Sequence, residues 1–331
     1  MTLPTFVVVG AMKAGTTSLY HYLRAHPQVY MPRVKELDFF LEEANWSRGL
    51  RWYERRFRGV PDGARALGEA STNYTKHPQY PGVPERMAEV LPDARLIYVV
   101  RHPIDRIMSH YRHRIAAGSE RRPFAEAVLT DPTYVATSRY AMQAARFLDH
   151  FPREQLLILT SEALKTDRTA AIARVYGFIG VDAAFTAPVH QHEFYRTDAR
   201  ARHSTVAWRL RTVIKRYFPA AKEAKELVDS MRGSLRGMGR GGASAPENGG
   251  PPRIPEDVRA ALEAQLADDV AALRGLIGDV VDAWGIESPD ATRTGTGRDG
   301  TLGPGTGSDR EQMNGSRAPS SSSRSGGLPS A

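Results

Sequence analysis

Two glycines near the start of the sequence have the spacing of a phosphate-binding turn. Phe6 to Val9 is a short, mostly β-branched run, which is typical of a strand buried on both faces. Gly10 and Gly15 bracket the turn that follows, and its backbone N–H groups can converge on an anion. The next residues open a helix, whose N-terminus favours negative charge. We therefore expect a phosphate group to bind here.

The position of Lys13 distinguishes this turn from the phosphate loop of nucleoside triphosphatases. Gly10-x-x-x-x-Gly15 matches the frame of that loop, but Thr16 stands where a lysine should follow the second glycine. A lysine inside the loop lies beside the bound anion and not over a terminal γ-phosphate. We predict instead a nucleotide whose single 5′-phosphate is linked to another group. The candidate ligands of this phosphate are Lys13, Ala14, Gly15, Thr16, Thr17 and Ser18.

A second candidate anion site follows the clearest later strand, residues 95–100. Arg101 comes directly after that strand, and Ser109 lies two turns into the following helix, so both side chains can face one anion near the first loop. There is no obvious aspartate-ended strand that would hold magnesium. Two separate phosphate sites indicate a nucleotide that is phosphorylated at two places on its ribose.

Strands and helices alternate along the chain, which predicts an α/β fold with a mostly parallel sheet. The predicted strands are residues 6–9, 28–31, 67–71, 95–100 and 155–159. The predicted helices are residues 16–25 and 139–150, a helix that ends near Gly180, a helix at about 206–217 and a closing helix that begins at Pro255. Ligands in such folds bind at the carboxyl ends of the strands.

The 331 residues, 41% of them hydrophobic, are enough for one large domain, which we place at residues 1–285. Gly, Pro and Ser dominate residues 233–252, so we predict a flexible insertion there. Residues 286–331 have no aromatic side chain and much Gly, Ser, Thr and Pro, which predicts a disordered tail. The chain has no cysteine, which excludes disulfides and thiolate catalysis and fits a reducing compartment.

The net charge of +8 belongs to residues 1–285, because five arginines balance five acids in the predicted tail. A basic domain suits nucleic acid, a membrane surface or a small polyanion. The sequence has neither the aromatic and basic pattern of an RNA-binding module nor zinc-finger spacing, so we expect a small anionic ligand and no nucleic acid. With no signal peptide and no apolar run of about 20 residues, we expect a cytoplasmic protein without an integral membrane segment.

At the residues of the two candidate anion sites, the chain resembles the sulfotransferases that use 3′-phosphoadenosine 5′-phosphosulfate (PAPS), particularly the heparan-sulfate-type and related bacterial branch. Residues 10–19 are similar to the 5′-phosphosulfate loop of that family, and residues 99–109 to its 3′-phosphate site. Residues 35–40 resemble its segment with a glutamate before a Phe-Phe pair. Further similar segments are residues 68–74, residues 151–157 and a closing helix that ends near Trp284, so the resemblance covers about residues 5–285. It implies a P-loop-containing three-layer α/β/α fold.

The resemblance also implies roles for the matching residues of the two anion sites. Lys13 would contact the bridging or leaving phosphate oxygen. Thr16 and Thr17 would bind the 5′-phosphate. Arg101 and Ser109 would bind the 3′-phosphate. The family's basic-glycine-basic loop is not evident in this chain, and in its region, residues 195–202, Arg200 or Arg202 is expected to replace it.

The resemblance also implies that Glu36 is the base that takes the proton from the acceptor. A hydroxyl acceptor needs such a base, a carboxylate or a histidine, within hydrogen-bond reach. Asp38 stands where animal relatives often have histidine, and Asp38 or His102 could share this role. The alternative is that these groups only form ion pairs, with Lys35, Arg33 or Arg55 as partners of Glu36 and Asp105 as the partner of Arg101.

The resulting expectation is an enzyme that transfers a sulfuryl group from PAPS, in line and without a metal. The acceptor would be a hydroxyl, or in second place an amine, of a carbohydrate, lipid or secondary metabolite. One alternative is a P-loop nucleotide kinase or nucleotidase. The displaced lysine and the second phosphate site are evidence against it. Another is a non-catalytic protein that binds anions or nucleic acid, which the charge suggests. The sequence sets neither the acceptor nor the oligomeric state.

Overall fold

A parallel sheet of five strands forms the centre of the computed structural model, which describes residues 2–192, 194 and 254–287. The strands are β1 (Phe6–Gly10), β2 (Val29–Tyr30), β3 (Ala66–Ala70), β4 (Arg95–Val100) and β5 (Leu156–Thr160). They lie in the order β2-β3-β1-β4-β5, and every neighbouring pair is parallel. All residues of β1 and β5 are buried, so both faces of the sheet are covered there. This confirms the predicted α/β class with a parallel sheet.

Ten α-helices belong to the described residues. They are α1 (Thr16–Ala25), α2 (Leu50–Glu54), α3 (Val83–Val90), α4 (Pro103–Ala116), α5 (Phe124–Thr130), α6 (Pro132–Ala136), α7 (Tyr140–Leu148), α8 (Ala163–Thr166), α9 (Arg168–Ile179) and α10 (Glu256–Ile277). Short 3₁₀ turns span Trp46–Arg48, Arg55–Phe57, Thr72–Thr75, Arg153–Gln155, Pro188–Gln191 and Asp279–Trp284. The predicted helix at 206–217 and the insertion at 233–252 lie outside the described residues.

The closing helix α10 begins where the sequence predicts it. Pro255 precedes its first turn, and Glu256 and Asp257 place negative charge at its N-terminus. Its buried stripe consists of Val258, Leu262, Leu266, Ala267, Val270 and Leu273. The first half of this stripe packs with residues of α4, α5 and α6, and the second half joins the core around the sheet. The helix therefore connects two apolar clusters.

Two predictions at this end of the chain need correction. Gly278, with φ 75°, ends α10, so the expected helix that runs to near Trp284 is divided into a helix and a 3₁₀ turn. Ile286 was predicted as the first residue of the disordered tail, but it is only 4% exposed and packs in the core. The packed part of the chain therefore includes Ile286, and the tail beyond residue 287 lies outside the described residues.

The strand predicted at 28–31 is shorter than expected, since only Val29 and Tyr30 pair with β3. Pro32 follows soon after and has no N–H with which to extend the pairing. The helix predicted at 139–150 is likewise trimmed to α7, which ends at Leu148. Element bounds of this kind depend on tertiary contacts more than on local pattern.

Parallel pairing brings the segments that follow the strands to one edge of the sheet. The Ala11 N–H, after β1, donates to the Val99 carbonyl at 2.6 Å. The Ser71 N–H, after β3, donates to the Val8 carbonyl at 3.1 Å, and the Ser161 N–H, after β5, donates to the Val100 carbonyl at 2.6 Å. The residues predicted to bind phosphate therefore lie beside the carboxyl ends of neighbouring strands.

Close contact between β1 and β3 depends on a glycine. Gly68 lies opposite Phe6 in the pairing, and a Cβ at this position would lie 2.1 Å from the Phe6 ring. Any larger residue must displace either the ring or the strand. Gly177 in α9 offers a contrast, because a Cβ there meets nothing within 4 Å.

We expect Gly68→Ala to lower the free energy of unfolding by about 1–3 kcal/mol, since it overpacks the core. Gly177→Ala should raise it by roughly 0.5–1 kcal/mol, because alanine favours the helix. Urea unfolding of both variants tests this. Equal stability of the Gly68→Ala variant and the parent protein would show that β1 and β3 are packed less tightly than described.

Candidate active site

The loop between β1 and α1 leaves backbone donors available to an anion. Lys13 and Gly15 both have left-handed backbone conformations, with φ of 72° and 98°. Gly15 caps α1 without a side-chain hydrogen bond, and the first turn of α1 contains no acid. The first N–H groups of the helix therefore have neither a side-chain cap nor a competing carboxylate. Ser161, after β5, lies beside the loop, since a Cβ on Gly15 would be 3.7 Å from its Oγ.

The other predicted ligands of this loop differ in exposure. Ala14 and Thr16 are buried, whereas Thr17 is half-buried. Ser18 is also buried, and its Oγ both accepts from the Phe194 N–H at 3.0 Å and donates to the Phe194 carbonyl at 3.2 Å. The Ser18 hydroxyl thus anchors the chain at Phe194, and its contact with phosphate stays a prediction.

Arg101 has a partner but also an unsatisfied donor. Its Nη2 lies 3.3 Å from Oδ2 of Asp105, which is the ion pair that the sequence left open as an alternative. The Asp105 side chain is 59% exposed, so this pair contributes less than about 1 kcal/mol and competes weakly with a ligand. The Nε of Arg101 is buried without a hydrogen-bond partner. Such a donor fits a bound anion.

The two predicted anion sites lie side by side. The first follows β1 and the second follows β4, and these strands pair directly, with a spacing of about 4.8 Å. Ser109 lies in α4 and is 6% exposed. Arg200 and Arg202, the predicted substitutes for the missing basic loop, lie outside the described residues.

Glu36 is held at the same edge by the last residue of β3 and by the segment that follows it. Its N–H donates to the Ala70 carbonyl at 2.9 Å, and its Oε2 accepts from the N–H and the Oγ1 of Thr72 at 2.6 and 3.2 Å. Its Oε1 forms an ion pair with Lys35, which is one of the alternatives raised above. The pair leaves the carboxylate partly exposed and orients it.

Asp38 lies two residues further on, with a φ of 48°. Its Oδ2 accepts from Asn73 Nδ2 at 2.9 Å, whereas its Oδ1 is buried without a partner. Burial is the main cause that raises the pKa of the Asp38 carboxyl to about 6, and the negative charge of Glu36 adds to it. Burial also lowers the pKa of Lys76 to about 8, although Glu36 and Asp38 oppose that change. Two carboxylates and a desolvated lysine thus lie together.

His102 faces the closing segment of the chain. Its Nε2 lies 3.1 Å from the Trp284 carbonyl, and its N–H donates to Glu162 Oε1 at 3.1 Å. The imidazole also packs beside the Trp284 ring. These contacts describe a packed residue, and they favour Glu36 and Asp38 over His102 as candidates for the base.

Sequence reasoning assigned no role to Glu69. This carboxylate lies in β3, is 1% exposed and accepts hydrogen bonds from three hydroxyls, of Tyr53, Ser71 and Tyr74. Burial raises the pKa of Glu69 to about 7, against the lowering effect of these hydrogen bonds. The sign of this residue in the sequence was an acidic side chain inside a strand whose other residues are apolar.

Comparison with known proteins decides the family. The sequence profile of the sulfotransferase domain matches residues 3–203, which is more than half of the chain. The chain belongs to the sulfotransferase family. This confirms the resemblance to sulfotransferases that was based on the two anion-site motifs. Within the described residues, no helix is both long enough and apolar enough to cross a membrane.

Individual relatives support the same assignment. Human bifunctional heparan sulfate N-deacetylase/N-sulfotransferase 3 is 32% identical over 199 residues, which are 54% of this chain and 22% of the relative. Human heparan sulfate glucosamine 3-O-sulfotransferase 3B1 is 28% identical over 193 residues, 56% of this chain and 48% of the relative. The chain thus spans less than half the length of either sulfotransferase. A solved sulfotransferase from Alicyclobacillus acidocaldarius is 28% identical, with a TM-score of 0.61, and the match covers 86% of this chain and 99% of that chain.

Protonation of Glu69 should affect stability in a defined direction. Because its pKa is raised on folding from 4.5 to about 7, the folded state binds the proton more tightly than the unfolded state. The stability that this proton contributes is present below pH 4.5 and is lost as the pH rises through about 7. A shift of this size corresponds to about 3 kcal/mol.

We therefore expect the free energy of unfolding of the parent protein, relative to Glu69→Gln, to fall by about 3 kcal/mol between pH 4.5 and pH 8. Urea unfolding at several pH values measures it. Glu43→Gln, an exposed acid from the same half of the chain, is the control and should follow the parent curve. Parallel curves for the parent and Glu69→Gln would contradict the raised pKa.

Proposed function

We propose that the protein transfers a sulfuryl group from PAPS to a hydroxyl of an acceptor, with an amine as the second choice. The observation that supports this proposal is that two candidate anion-binding segments and a candidate base lie at one edge of the sheet. The loop after β1 and Arg101 after β4 lie on paired strands, and Glu36 is hydrogen-bonded to the end of β3 on the other side of β1. Membership of the sulfotransferase family supports the same reaction.

The residues present fit a doubly phosphorylated nucleotide. The uncapped N-terminus of α1 and the adjacent Lys13 suit its 5′-phosphate, and the buried, unpartnered Nε of Arg101 suits its 3′-phosphate. Thr16, Thr17 and Ser109 would add hydroxyl donors. When bound, PAPS supplies an activated sulfuryl group, and the protein supplies position and charge.

The chain's own residues act mainly by electrostatics. Sulfuryl transfer resembles phosphoryl transfer in its loose, in-line transition state, in which charge builds on the leaving oxygen. Lys13 and the amides at the start of α1 stabilise that charge, and the removal of one such donor costs on the order of 100- to 1,000-fold in rate. No step requires a metal ion.

Glu36 is the base in this proposal. Thr72 keeps Oε2 in place with two hydrogen bonds, so Oε1 is the atom that accepts the proton from the acceptor. Lys35, which pairs with Oε1, must move aside or share that oxygen. Asp38 is the alternative base, since its pKa is raised to about 6.

A glycan is the acceptor class that the relatives favour. Both human relatives are named for heparan sulfate, one as an N-sulfotransferase and the other as a 3-O-sulfotransferase. These names leave oxygen and nitrogen acceptors open for this chain. A lipid or a secondary metabolite remains the alternative acceptor.

The donor is tested first by binding. We expect 3′-phosphoadenosine 5′-phosphate to raise the melting temperature equally with and without magnesium, because the chain itself neutralises both phosphates.

Lys13→Ala should reduce turnover by on the order of 100-fold and donor binding less, since the lysine acts most strongly on the charge that develops during transfer. Thermal shift and isothermal titration measure binding, and Lys165→Ala, an exposed lysine, is the control.

Two outcomes would contradict this part of the proposal. Stabilisation by ATP that needs magnesium would instead favour a kinase. Stabilisation by RNA alone would favour a nucleic-acid-binding protein.

The base is tested by turnover. Glu36→Gln should lower kcat by at least about 100-fold, because a general base typically contributes 10²–10⁴-fold, and should leave bisphosphate affinity unchanged. Sulfate incorporation from PAPS is measured into desulfated heparan sulfate, a glycolipid and a phenol, with Glu43→Gln as the matched control. A fully active Glu36→Gln variant would move the base to Asp38.

A further inference from the structure

The buried carboxylate of Glu69 is joined to hydroxyls and not to a cation in the described part of the chain. Its Oε1 accepts from Tyr53 Oη at 2.7 Å and from Tyr74 Oη at 2.9 Å. Its Oε2 accepts from Ser71 Oγ at 2.8 Å. Burial is the main cause that raises the pKa of Glu69, and the negative charge of Asp38 adds to it. Burial of a carboxylate without a cationic partner costs free energy of folding, so Glu69 is expected to have a role that offsets this cost.

Two of the three hydroxyls reach beyond Glu69 to the loop that carries the proposed base. Ser71 Oγ accepts from the Asp38 N–H at 3.1 Å, and Tyr74 Oη accepts from the Phe39 N–H at 2.9 Å. For the third hydroxyl, of Tyr53, the described residues show only the contact with Glu69. Glu69 is therefore two hydrogen bonds away from two consecutive amides of the base loop, residues 36–39.

The base loop needs such support because its backbone is strained. Glu36 and Asp38 both have positive φ, of 62° and 48°, a conformation that costs non-glycine residues about 1–3 kcal/mol each. Such residues persist only where the surroundings hold them. Here the contacts come from the end of β3, through Ala70, and from the segment that follows it, through Ser71 and Tyr74.

Ionised Glu69 also sets the direction of these hydrogen bonds. A hydroxyl has one hydrogen, so a hydroxyl that donates to the carboxylate keeps only lone pairs for its other partner. Those lone pairs accept from the Asp38 and Phe39 amides. A neutral Glu69 would carry its own hydrogen and would compete with one of the hydroxyls.

We propose that Glu69 is a positioning residue for sulfuryl transfer: through the hydroxyls of Ser71 and Tyr74 it holds the amides of Asp38 and Phe39 and so fixes the loop that presents Glu36. Glu69 does not touch the substrate in this proposal. The proposal rests on the proposed function, in which Glu36 is the base.

The two tyrosines provide a matched test. Tyr74→Phe and Tyr53→Phe each remove one hydroxyl that donates to the same Glu69 oxygen, but only Tyr74 also holds a loop amide. We expect Tyr74→Phe to lower kcat by on the order of 10- to 100-fold, as misplacement of a reacting group does, with bisphosphate affinity unchanged. Tyr53→Phe should keep kcat within about twofold. The acceptor is the one of the three probes named above that the parent protein sulfates best.

Amide hydrogen exchange gives a second readout that needs no acceptor. Exchange at Phe39 should accelerate in Tyr74→Phe and exchange at Asp38 in Ser71→Ala, while Tyr53→Phe leaves both unchanged. Glu69→Gln should accelerate exchange at both amides. In the parent protein, kcat should fall as the pH drops below about 7, the raised pKa of Glu69, because neutral Glu69 competes with the hydroxyls. Glu69→Gln should not show this fall.

Failure of this proposal and failure of the proposed function give different results. Equal kcat losses in Tyr74→Phe and Tyr53→Phe, or equal exchange at Phe39, would show that Glu69 only contributes to stability. If the parent protein transfers no sulfate to any probe while exchange follows the expected pattern, the loop is held as proposed and the assigned reaction is wrong.

Discussion

Parallel pairing of β1 with both β3 and β4 is the constraint on which the rest of the structure depends. Because neighbouring parallel strands end at the same edge, the candidate phosphate loop after β1 lies between the end of β3 and Arg101. The pairing of β1 with β3 needs a close approach of Gly68 to the Phe6 ring, and Gly10 at the end of β1 lies equally close to Thr75 in the turn after β3. Small residues at these points let the proposed base and the two candidate anion sites occupy neighbouring positions without a long loop to join them.

Crowding of charge at this edge has a physical cost that the structure offsets locally. A donor with two phosphates would bring several negative charges close to the carboxylates of Glu36 and Asp38. Lys35 pairs with Glu36, and Lys76 lies near both carboxylates. Burial opposes the charge on Lys76 and on Asp38 alike, which moves both pKa values towards neutrality. Groups with such pKa values change protonation at little energetic expense, as proton transfer requires.

The sequence contained the local part of this arrangement. The strand at Phe6–Gly10, the helix Thr16–Ala25 and the placement of Arg101 after β4 follow from apolar runs, glycines and helix signals within a few residues. Contacts between distant segments were beyond such reasoning. Ser18 bonds to a residue 176 positions away, and the base loop is held by residues more than 30 positions further along the chain. The positive φ of Glu36 and Asp38 follows from those contacts and from no local pattern.

The choice of serine and tyrosine around Glu69 has a chemical reason. A group that links a carboxylate to a backbone N–H must donate on one side and accept on the other. Lysine and arginine only donate, so a cation beside Glu69 would neutralise it but could not hold the amides of Asp38 and Phe39. Hydroxyls do both, at the expense of a carboxylate that stays poorly stabilised and has a pKa raised to about 7. Burial thus raises the pKa of Glu69 against the effect of the three hydrogen bonds, and in our proposal the protein tolerates this cost because the same hydroxyls hold the loop that presents Glu36.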